Sequence, residues 1–118
     1  MIEIETSYPP SLNSYYMKVR NRLVISKKGV AYTEEIKQLT QGMPSFNTDR
    51  VSITILLYPP DLRRRDIDNI EKAIFDSLTK AGVWEDDSQV DEMHVFRMEK
   101  IKGGKCLIKI IKIIDKNT

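Results

Sequence analysis

The chain has 118 residues, of which 41% are hydrophobic and 31% charged, a composition typical of one globular domain with a modest core. We therefore expect a single domain over residues 1–118. The sequence has no run of about 18 apolar residues that could cross a membrane, and residues 1–5 lack the basic start and apolar centre of a secretory signal. A cytoplasmic protein without a membrane partner is expected.

The net charge is only +2, but the charged residues are unevenly distributed. Residues 1–65 hold ten Lys or Arg against six Asp or Glu, residues 66–98 hold three against nine, and residues 99–118 hold six against two. An acidic segment between basic flanks suits a metal-dependent nuclease, because the metal offsets the carboxylates and the cations hold a nucleic-acid backbone. The same distribution fits an ordinary solvated surface, so charge alone leaves both interpretations open.

Strand signals open the chain. Residues 2–6 alternate apolar and polar side chains, as in a half-buried strand, and the following Pro9-Pro10 pair cannot continue a ladder. Residues 15–19 and 22–25 predict a short hairpin around Arg20-Asn21.

A first helix is predicted from the candidate N-cap Ser26 to about residue 41. Tyr32, Ile36 and Leu39 recur at helical spacing, which predicts that they form the buried face of this helix. A glycine and a proline at positions 42 and 44 end it.

The strongest strand signal covers residues 51–57, which run into Tyr58-Pro59-Pro60 and deliver the chain to an arginine run. A second helix is predicted from Asp66 or Asp68 to about residue 81, with Gly82 as its stop. Its apolar stripe consists of Ile67, Ile70, Ile74, Leu78 and Ala81.

The chain closes with an acid-rich loop and two further strand signals. These strands cover about residues 89–100 and 105–114, and Gly103-Gly104 between them predicts a hairpin turn. The order of elements predicts an α+β fold, with a small mixed β-sheet and two helices packed on one face.

The most informative segment is residues 63–72, which combine three arginines, two aspartates, an asparagine and a lysine. Mg²⁺ accepts one or two carboxylates together with water and phosphate oxygens, and arginines attract a polyanion. Asp66 and Asp68 lie at the predicted helix start, where backbone N–H groups favour anions. Lys72 and Asp76 follow Asp68 along the same side of the helix, so this segment predicts a metal site that meets a phosphate.

The acid-rich loop offers a further ligand. If it folds back beside the start of the second helix, Asp86 or Asp87 would complete a carboxylate cluster with Asp66 and Asp68. Simpler alternatives exist for each part: an aspartate can merely cap the helix, and Asp68 and Lys72 can form a surface ion pair. The spacing does not fit a calcium loop, and zinc lacks its usual Cys and His ligands, so Mg²⁺ or Mn²⁺ remains.

Three stretches of the chain form a recognisable pattern. The central stretch is RRRDIDN at residues 63–69 followed by Lys72, and it continues through FDSLTKAGVWEDDSQV at residues 75–90. The others are YPPSLNSYY at residues 8–16 and KGGK at residues 102–105. Together these stretches resemble the RusA family of Holliday junction resolvases. The resemblance implies a homodimeric, magnesium-dependent endonuclease with a RusA-like fold that nicks two strands of a four-way DNA junction.

By motif position, the resemblance implies that Asp66, Asp68 and Asp87 are the metal-binding and catalytic carboxylates. It implies that Lys72 is an essential basic residue and that Arg65 lies beside the scissile phosphate. Glu85 stands where the family pattern suggests a less polar residue, and Asp86 could compete with Asp87 for the metal.

The hypothesis is hydrolysis of a DNA phosphodiester with Mg²⁺, for which Mn²⁺ could substitute. The candidate DNA-binding residues are Arg63, Arg64, Arg65, Asn69, Arg20, Arg22, Lys27 and Lys28. Two alternatives stay open: a DNA-binding module without activity, and a small metal-dependent phosphohydrolase that acts on nucleotides. The arginine run favours a polymeric substrate.

Overall fold

The computed structural model describes residues 1–114, so the last four residues of the predicted domain lie outside the described part. Its elements are β1 (Ile2–Thr6), α1 (Leu12–Tyr15), β2 (Tyr16–Val19), β3 (Arg22–Ile25), α2 (Lys27–Thr40), β4 (Val51–Tyr58), α3 (Glu71–Lys80), β5 (Val90–Arg97) and β6 (Lys105–Lys112), with 3₁₀ helices at Ile67–Asn69 and Asp87–Gln89. None of the helices in residues 1–114 is long and apolar enough to cross a membrane.

A four-stranded mixed sheet in the order β1-β6-β4-β5 forms the centre of the fold. Strand β6 is antiparallel to both of its neighbours, whereas β4 and β5 are parallel. It follows that β1, β4 and β5 run in the same direction and that their carboxyl ends meet at one edge of the sheet. The expected α+β fold with a mixed sheet is confirmed.

The predicted hairpin between the last two strands is wrong, because β4 lies between β5 and β6. Gly103 and Gly104 do make a turn, with φ of 83° and 70°. The segment before them, however, crosses the end of β4, where the Met98 and Ile101 amides donate to the carbonyls of Leu57 and Pro59. The two glycines predict a local turn, but they do not indicate that β4 lies between the two strands that this turn connects.

Helix α2 packs on the sheet and on α3, but it is rotated relative to the prediction. Tyr32 and Ile36 are buried as expected, whereas Leu39 is 37% exposed. Gly29 fixes this rotation, because a Cβ at this position would lie 2.5 Å from the Tyr15 carbonyl oxygen. Because of this close approach, Thr33 rather than Leu39 lies on the buried face of α2.

Helix α3 begins at Glu71, later than the predicted start at Asp66 or Asp68. The aspartates instead flank and enter the 3₁₀ helix Ile67–Asn69, and Ile70 separates it from α3 with a φ of −120°. Ile67 is therefore 38% exposed and outside the apolar stripe. The predicted stop is confirmed, because Gly82 follows the helix with a φ of 77°.

The predicted β2–β3 hairpin is confirmed, and it forms a two-stranded sheet of its own. Arg20 and Asn21 occupy its turn, both with positive φ. The short helix α1, which the sequence did not predict, leads directly into β2 and buries Tyr15.

Candidate nucleic-acid cleft

An open cleft of about 740 Å³ lies at the edge of the sheet where β1 and β4 end. Its lining residues are Tyr8, Pro9, Ser11, Ser14, Lys28, Pro60, Arg63, Arg64, Arg65, Asp66, Asn69 and Ile70. Four of these are cations and one is a carboxylate, so the cleft attracts a polyanion. Six of them, Lys28, Arg63, Arg64, Arg65, Asp66 and Asn69, are residues that the sequence proposed for the site.

Backbone topology explains why distant segments meet in this cleft. Tyr8 follows the end of β1, and Pro60 follows the end of β4, so the two chain segments leave the sheet at the same edge. Gly104 packs between them, since a Cβ there would lie 3.1 Å from both Pro60 Cδ and Tyr8 Cβ. Its positive φ of 70° adds a second reason for glycine.

Arg65 is the most constrained of the three arginines. Its Nη1 lies 2.6 Å from Asp61 Oδ1, its side chain is 25% exposed, and its guanidinium carbon is 5.7 Å from the centre of the Tyr8 ring. Arg97 at the end of β5 donates to the Arg65 carbonyl oxygen. The Arg65 side chain is thus held in position before any ligand arrives.

The Asp61 carboxylate pairs with two of the three arginines, Arg63 and Arg65. Hydrogen bonds from Arg65, and then from Arg63, hold the pKa of the Asp61 carboxyl well below its usual range, so Asp61 remains an anion. The Arg63 side chain is nevertheless 81% exposed, and Arg64 is exposed with no ion pair among residues 1–114. Arg63 and Arg64 therefore remain accessible to a phosphate.

Asp66 and Asp68 are exposed beside the arginines. Asp66 lines the cleft and precedes the 3₁₀ helix, but its side chain makes no capping hydrogen bond. The simple capping role is therefore not realised for Asp66. Nor does Asp68 pair with Lys72 in the described structure, because Lys72 pairs elsewhere.

Lys72 projects from the first turn of α3, and its Nζ lies 3.0 Å from Asp76 Oδ1. Tyr16 donates its hydroxyl hydrogen to the other Asp76 oxygen. The hydrogen bond to Asp76 raises the pKa of Lys72, with smaller contributions from the charges of Asp76, Asp87 and Asp86 against the opposing effect of burial. Lys72 is therefore a protonated lysine that Asp76 orients.

Asp86 and Asp87 differ in what they already bind. The Asp86 side chain accepts from the Ser88 amide at 3.0 Å and forms a capping box with Gln89, and these contacts lower the pKa of Asp86. No hydrogen bond or ion pair occupies the Asp87 side chain within residues 1–114. This difference favours Asp87 as the carboxylate available to a ligand.

Within residues 1–114 no three Asp, Glu, His or Cys side chains are placed to hold one metal ion, so the expected convergence of Asp66, Asp68 and Asp87 stays a prediction. The 3₁₀ helix that holds Asp87 contacts α3, and the charge of Asp87 contributes to the raised pKa of Lys72, so the acid-rich loop does fold back beside this helix. The donor chemistry of Asp66 and Asp68 still suits Mg²⁺, which binds through one or two carboxylates together with phosphate oxygens.

The remaining predicted DNA contacts fall into two places. Lys28 and Asn69 line the cleft, whereas Arg20 and Arg22 lie on the β2–β3 hairpin and Lys27 begins α2. All three of the latter are exposed cations.

Sequence reasoning missed the roles of Tyr8, Asp61 and Tyr16, which contact or hold the predicted site residues. One signal was available: the sequence Tyr-Pro-Pro occurs at residues 8–10 and again at 58–60, at the ends of the two strands that form the cleft. The roles of Asp61 and Tyr16 depend on tertiary contacts.

Comparison with known proteins identifies the family. The family model described as "Endodeoxyribonuclease RusA" matches residues 7–111. A crossover junction endodeoxyribonuclease RusA of Enterobacteria phage HK97 is 41% identical over 90% of each chain. The proteins of the same name from Enterobacteria phage 82 and Escherichia coli K12 are 41% and 39% identical, each over 93% of both chains. This chain belongs to the RusA endodeoxyribonuclease family.

Proposed function

We propose that this protein is an endodeoxyribonuclease that resolves four-way (Holliday) DNA junctions by paired, symmetric nicks in two like strands, during recombination and repair. The relatives that are named crossover junction endodeoxyribonucleases support this substrate. The observation that carries the proposal is the cleft in which three arginines adjoin Asp66, a carboxylate without a capping role. Such a surface combines backbone binding with a place for a divalent cation.

In this proposal Asp66, Asp68 and Asp87 hold Mg²⁺, or Mn²⁺ in its place. When bound, the ion would lower the pKa of a water ligand and offset charge on the attacked phosphate. Asp66 and Asp68 would bind it together with DNA oxygens. The arrival of Asp87 requires the segment around residues 85–88 to approach them in the assembled complex, since the described residues alone do not form a three-carboxylate group.

The protein's own side chains have separable roles. Arg63 and Arg64 bind the DNA backbone, and Arg65, held by Asp61 and Tyr8, fixes the position of one phosphate. Lys72 offsets charge that develops on the reacting phosphate. Its raised pKa makes it a cation and hydrogen-bond donor at neutral pH rather than a general base.

The proposal includes a homodimer. A two-fold axis would give a four-way junction two equivalent sites for two like strands. One such cleft is formed by residues 1–114 of a chain, and a second chain would supply the second of the two paired nicks.

A strand-resolved nicking assay tests the function directly. A synthetic four-way junction and a linear duplex of the same sequence would be incubated with and without Mg²⁺. We expect paired nicks in the junction alone and only with the ion. Salt-dependent junction binding without nicking would instead support the DNA-binding module, and nucleotide hydrolysis without junction cleavage would support the phosphohydrolase.

The variant Asp68→Asn tests the site. We expect nicking to fall by at least about 100-fold, the scale for loss of a group that stabilises transition-state charge, while junction affinity and Tm stay unchanged because Asp68 is exposed. Glu34→Gln on α2 is the matched control, since Glu34 is also exposed and lies outside the cleft. Retained nicking in Asp68→Asn, or loss of the fold, would contradict the proposal.

A further inference from the structure

The β2–β3 hairpin is a separate two-stranded ribbon, and it does not join the central sheet. An isolated two-stranded hairpin is only marginally stable in water. Its turn at Arg20-Asn21 uses two residues with positive φ, 51° and 64°, a combination that matches a tight primed hairpin turn. Such a ribbon is well shaped to enter a groove or a gap between DNA strands.

Three of the four side chains on one face of the ribbon are apolar and exposed. The register pairs Met17 with Val24 and Val19 with Arg22, so these four side chains share a face. Met17 is 48% exposed, Val19 42% and Val24 37%. The opposite face contains Tyr16, which contacts Asp76 of α3, and Leu23, which is 67% exposed, so both faces of the ribbon offer exposed apolar side chains.

The charge of this region indicates the kind of partner. Residues 7–33 contain five cations and no acidic residue. The cations are Lys18, Arg20, Arg22, Lys27 and Lys28. A segment that is apolar and basic and has no acidic residue of its own suits a polyanion that also offers apolar surface, and a nucleic acid with unstacked bases has both properties.

The base of the hairpin is tied to the cleft. The Ser26 amide donates to the Tyr15 carbonyl oxygen at 2.8 Å, and the Ser26 hydroxyl donates to the carbonyl of Ser14, which lines the cleft. Tyr16, the first residue of β2, donates to Asp76, which also binds Lys72. DNA held in the cleft would therefore pass close to the ribbon.

We infer that the β2–β3 hairpin inserts at the branch point of the DNA substrate, with Met17, Val19 and Val24 against unstacked bases and Arg20 and Arg22 on the flanking phosphates. This inference rests on the proposed function and adds the element that distinguishes a branched from a linear DNA. Apolar side chains that enter between base steps are an established way for proteins to open a duplex. A second copy of this chain fits less well, because two ribbons of like charge would repel.

The test uses a four-way junction with 2-aminopurine at the branch point, in EDTA so that no strand is cut. The wild-type protein should raise the fluorescence, since unstacking relieves quenching of this base. In Met17→Ser/Val24→Ser we expect this rise to be lost and junction affinity to fall about fivefold or more, while affinity for linear duplex stays unchanged. Leu39→Ser is the matched control, because Leu39 is similarly exposed at 37% but lies on α2.

A second variant separates the charges from the apolar face. Arg20→Ala/Arg22→Ala should weaken binding to junction and duplex alike and should lower the salt dependence of both. An unchanged fluorescence rise in Met17→Ser/Val24→Ser, or an equal loss of affinity for junction and duplex, would overturn the inference. So would a change in the oligomeric state of that variant in sedimentation, which would assign the ribbon to a second copy.

The two proposals fail in different ways. If the wild-type protein nicks the junction in Mg²⁺ and Met17→Ser/Val24→Ser nicks and unstacks it equally well, only the hairpin inference fails. If the wild-type protein neither binds nor nicks the junction, the proposed function fails and the inference with it.

Discussion

The packed layer between the sheet and helices α2 and α3 differs sharply from the strip of residues 61–72. Inside the layer even the polar groups are paired: the Tyr15 hydroxyl lies 2.7 Å from Thr33 Oγ1 and 3.2 Å from Ser77 Oγ, and no buried side-chain N or O in residues 1–114 lacks a partner. In the strip, Asp66 and Asp68 are exposed and Asp66 caps nothing. Folding and function should therefore depend on different residues.

The largest effect should come from the packed layer. Ile74 on α3 has no exposed surface, and Ile74→Ala should lower the free energy of unfolding by about 2–5 kcal/mol, as measured by urea denaturation. Ile111→Ala is the control, because Ile111 is 42% exposed on β6 and its loss should cost about 0.5 kcal/mol or less. Equal losses of unfolding free energy in the two variants would contradict the prediction that stability depends on the packed layer more than on the surface.

A substitution in the strip should lower nicking and leave stability almost unchanged. Lys72→Met keeps the apolar stem and removes the charge, and we expect junction nicking to fall about 100-fold with little change in Tm, since the Lys72 side chain is 56% exposed and Asp76 keeps its hydrogen bond from Tyr16. Lys37→Met on α2, which breaks an exposed pair with Glu34, should leave nicking unchanged. A large drop in Tm for Lys72→Met would show that its pair with Asp76 serves the fold.

The pH dependence of Lys72 follows from its raised pKa. The pairing with Asp76 is fully present below the ordinary lysine pKa of about 10.4, and it is lost as the pH rises through the higher pKa of the folded state. Loss of nicking between pH 7 and 9 should therefore not arise from Lys72.

The smallest effect on nicking should come from Asp86, which is acidic like the residues of the strip but whose contacts stabilise the fold. Asp86→Ala removes a capping box and should lower Tm slightly, with nicking within about threefold of wild type, as for an ordinary surface substitution. Because contacts lower the Asp86 pKa, the stability that Asp86 contributes to the fold is present above the unfolded pKa of about 3.9 and disappears as the pH falls through the lower folded value.

Asp87→Asn should instead reduce nicking strongly. Strong loss of nicking in Asp86→Ala with retained nicking in Asp87→Asn would exchange the two assignments.

Much of the fold could be predicted because its signals are local. The alternation in residues 51–57, the hairpin turn at Arg20-Asn21 and the glycine after α3 each act within a few residues of the element they define. The insertion of β6 between β1 and β4 could not be predicted in this way, because it depends on pairing between residues about 50 or more positions apart. The rotation of α2 was missed for a similar reason, since it follows from the contact between Gly29 and Tyr15.

The candidate site was predicted to the extent that it is contiguous in sequence. The arginine run and Asp66 do share one cleft. The partners that hold this cleft in shape come from elsewhere: Tyr8 from the segment after β1 and Arg97 from the end of β5. The meeting of Asp87 with Asp66 and Asp68 remains a prediction, because no three Asp, Glu, His or Cys side chains in residues 1–114 are placed to hold one metal ion.

The position of β6 has a consequence for how the protein is made. Ile110 pairs with both Ile2 and Ile53, so β1 has no sheet neighbour until the ribosome has released nearly the whole described chain. Synthesis at about 5–20 residues per second leaves β1 and β4 without their shared partner for several seconds. Because such long-range pairing slows folding, the cleft at the ends of these strands should form late in folding. A chain that stops at Gly104 should therefore have no nuclease activity.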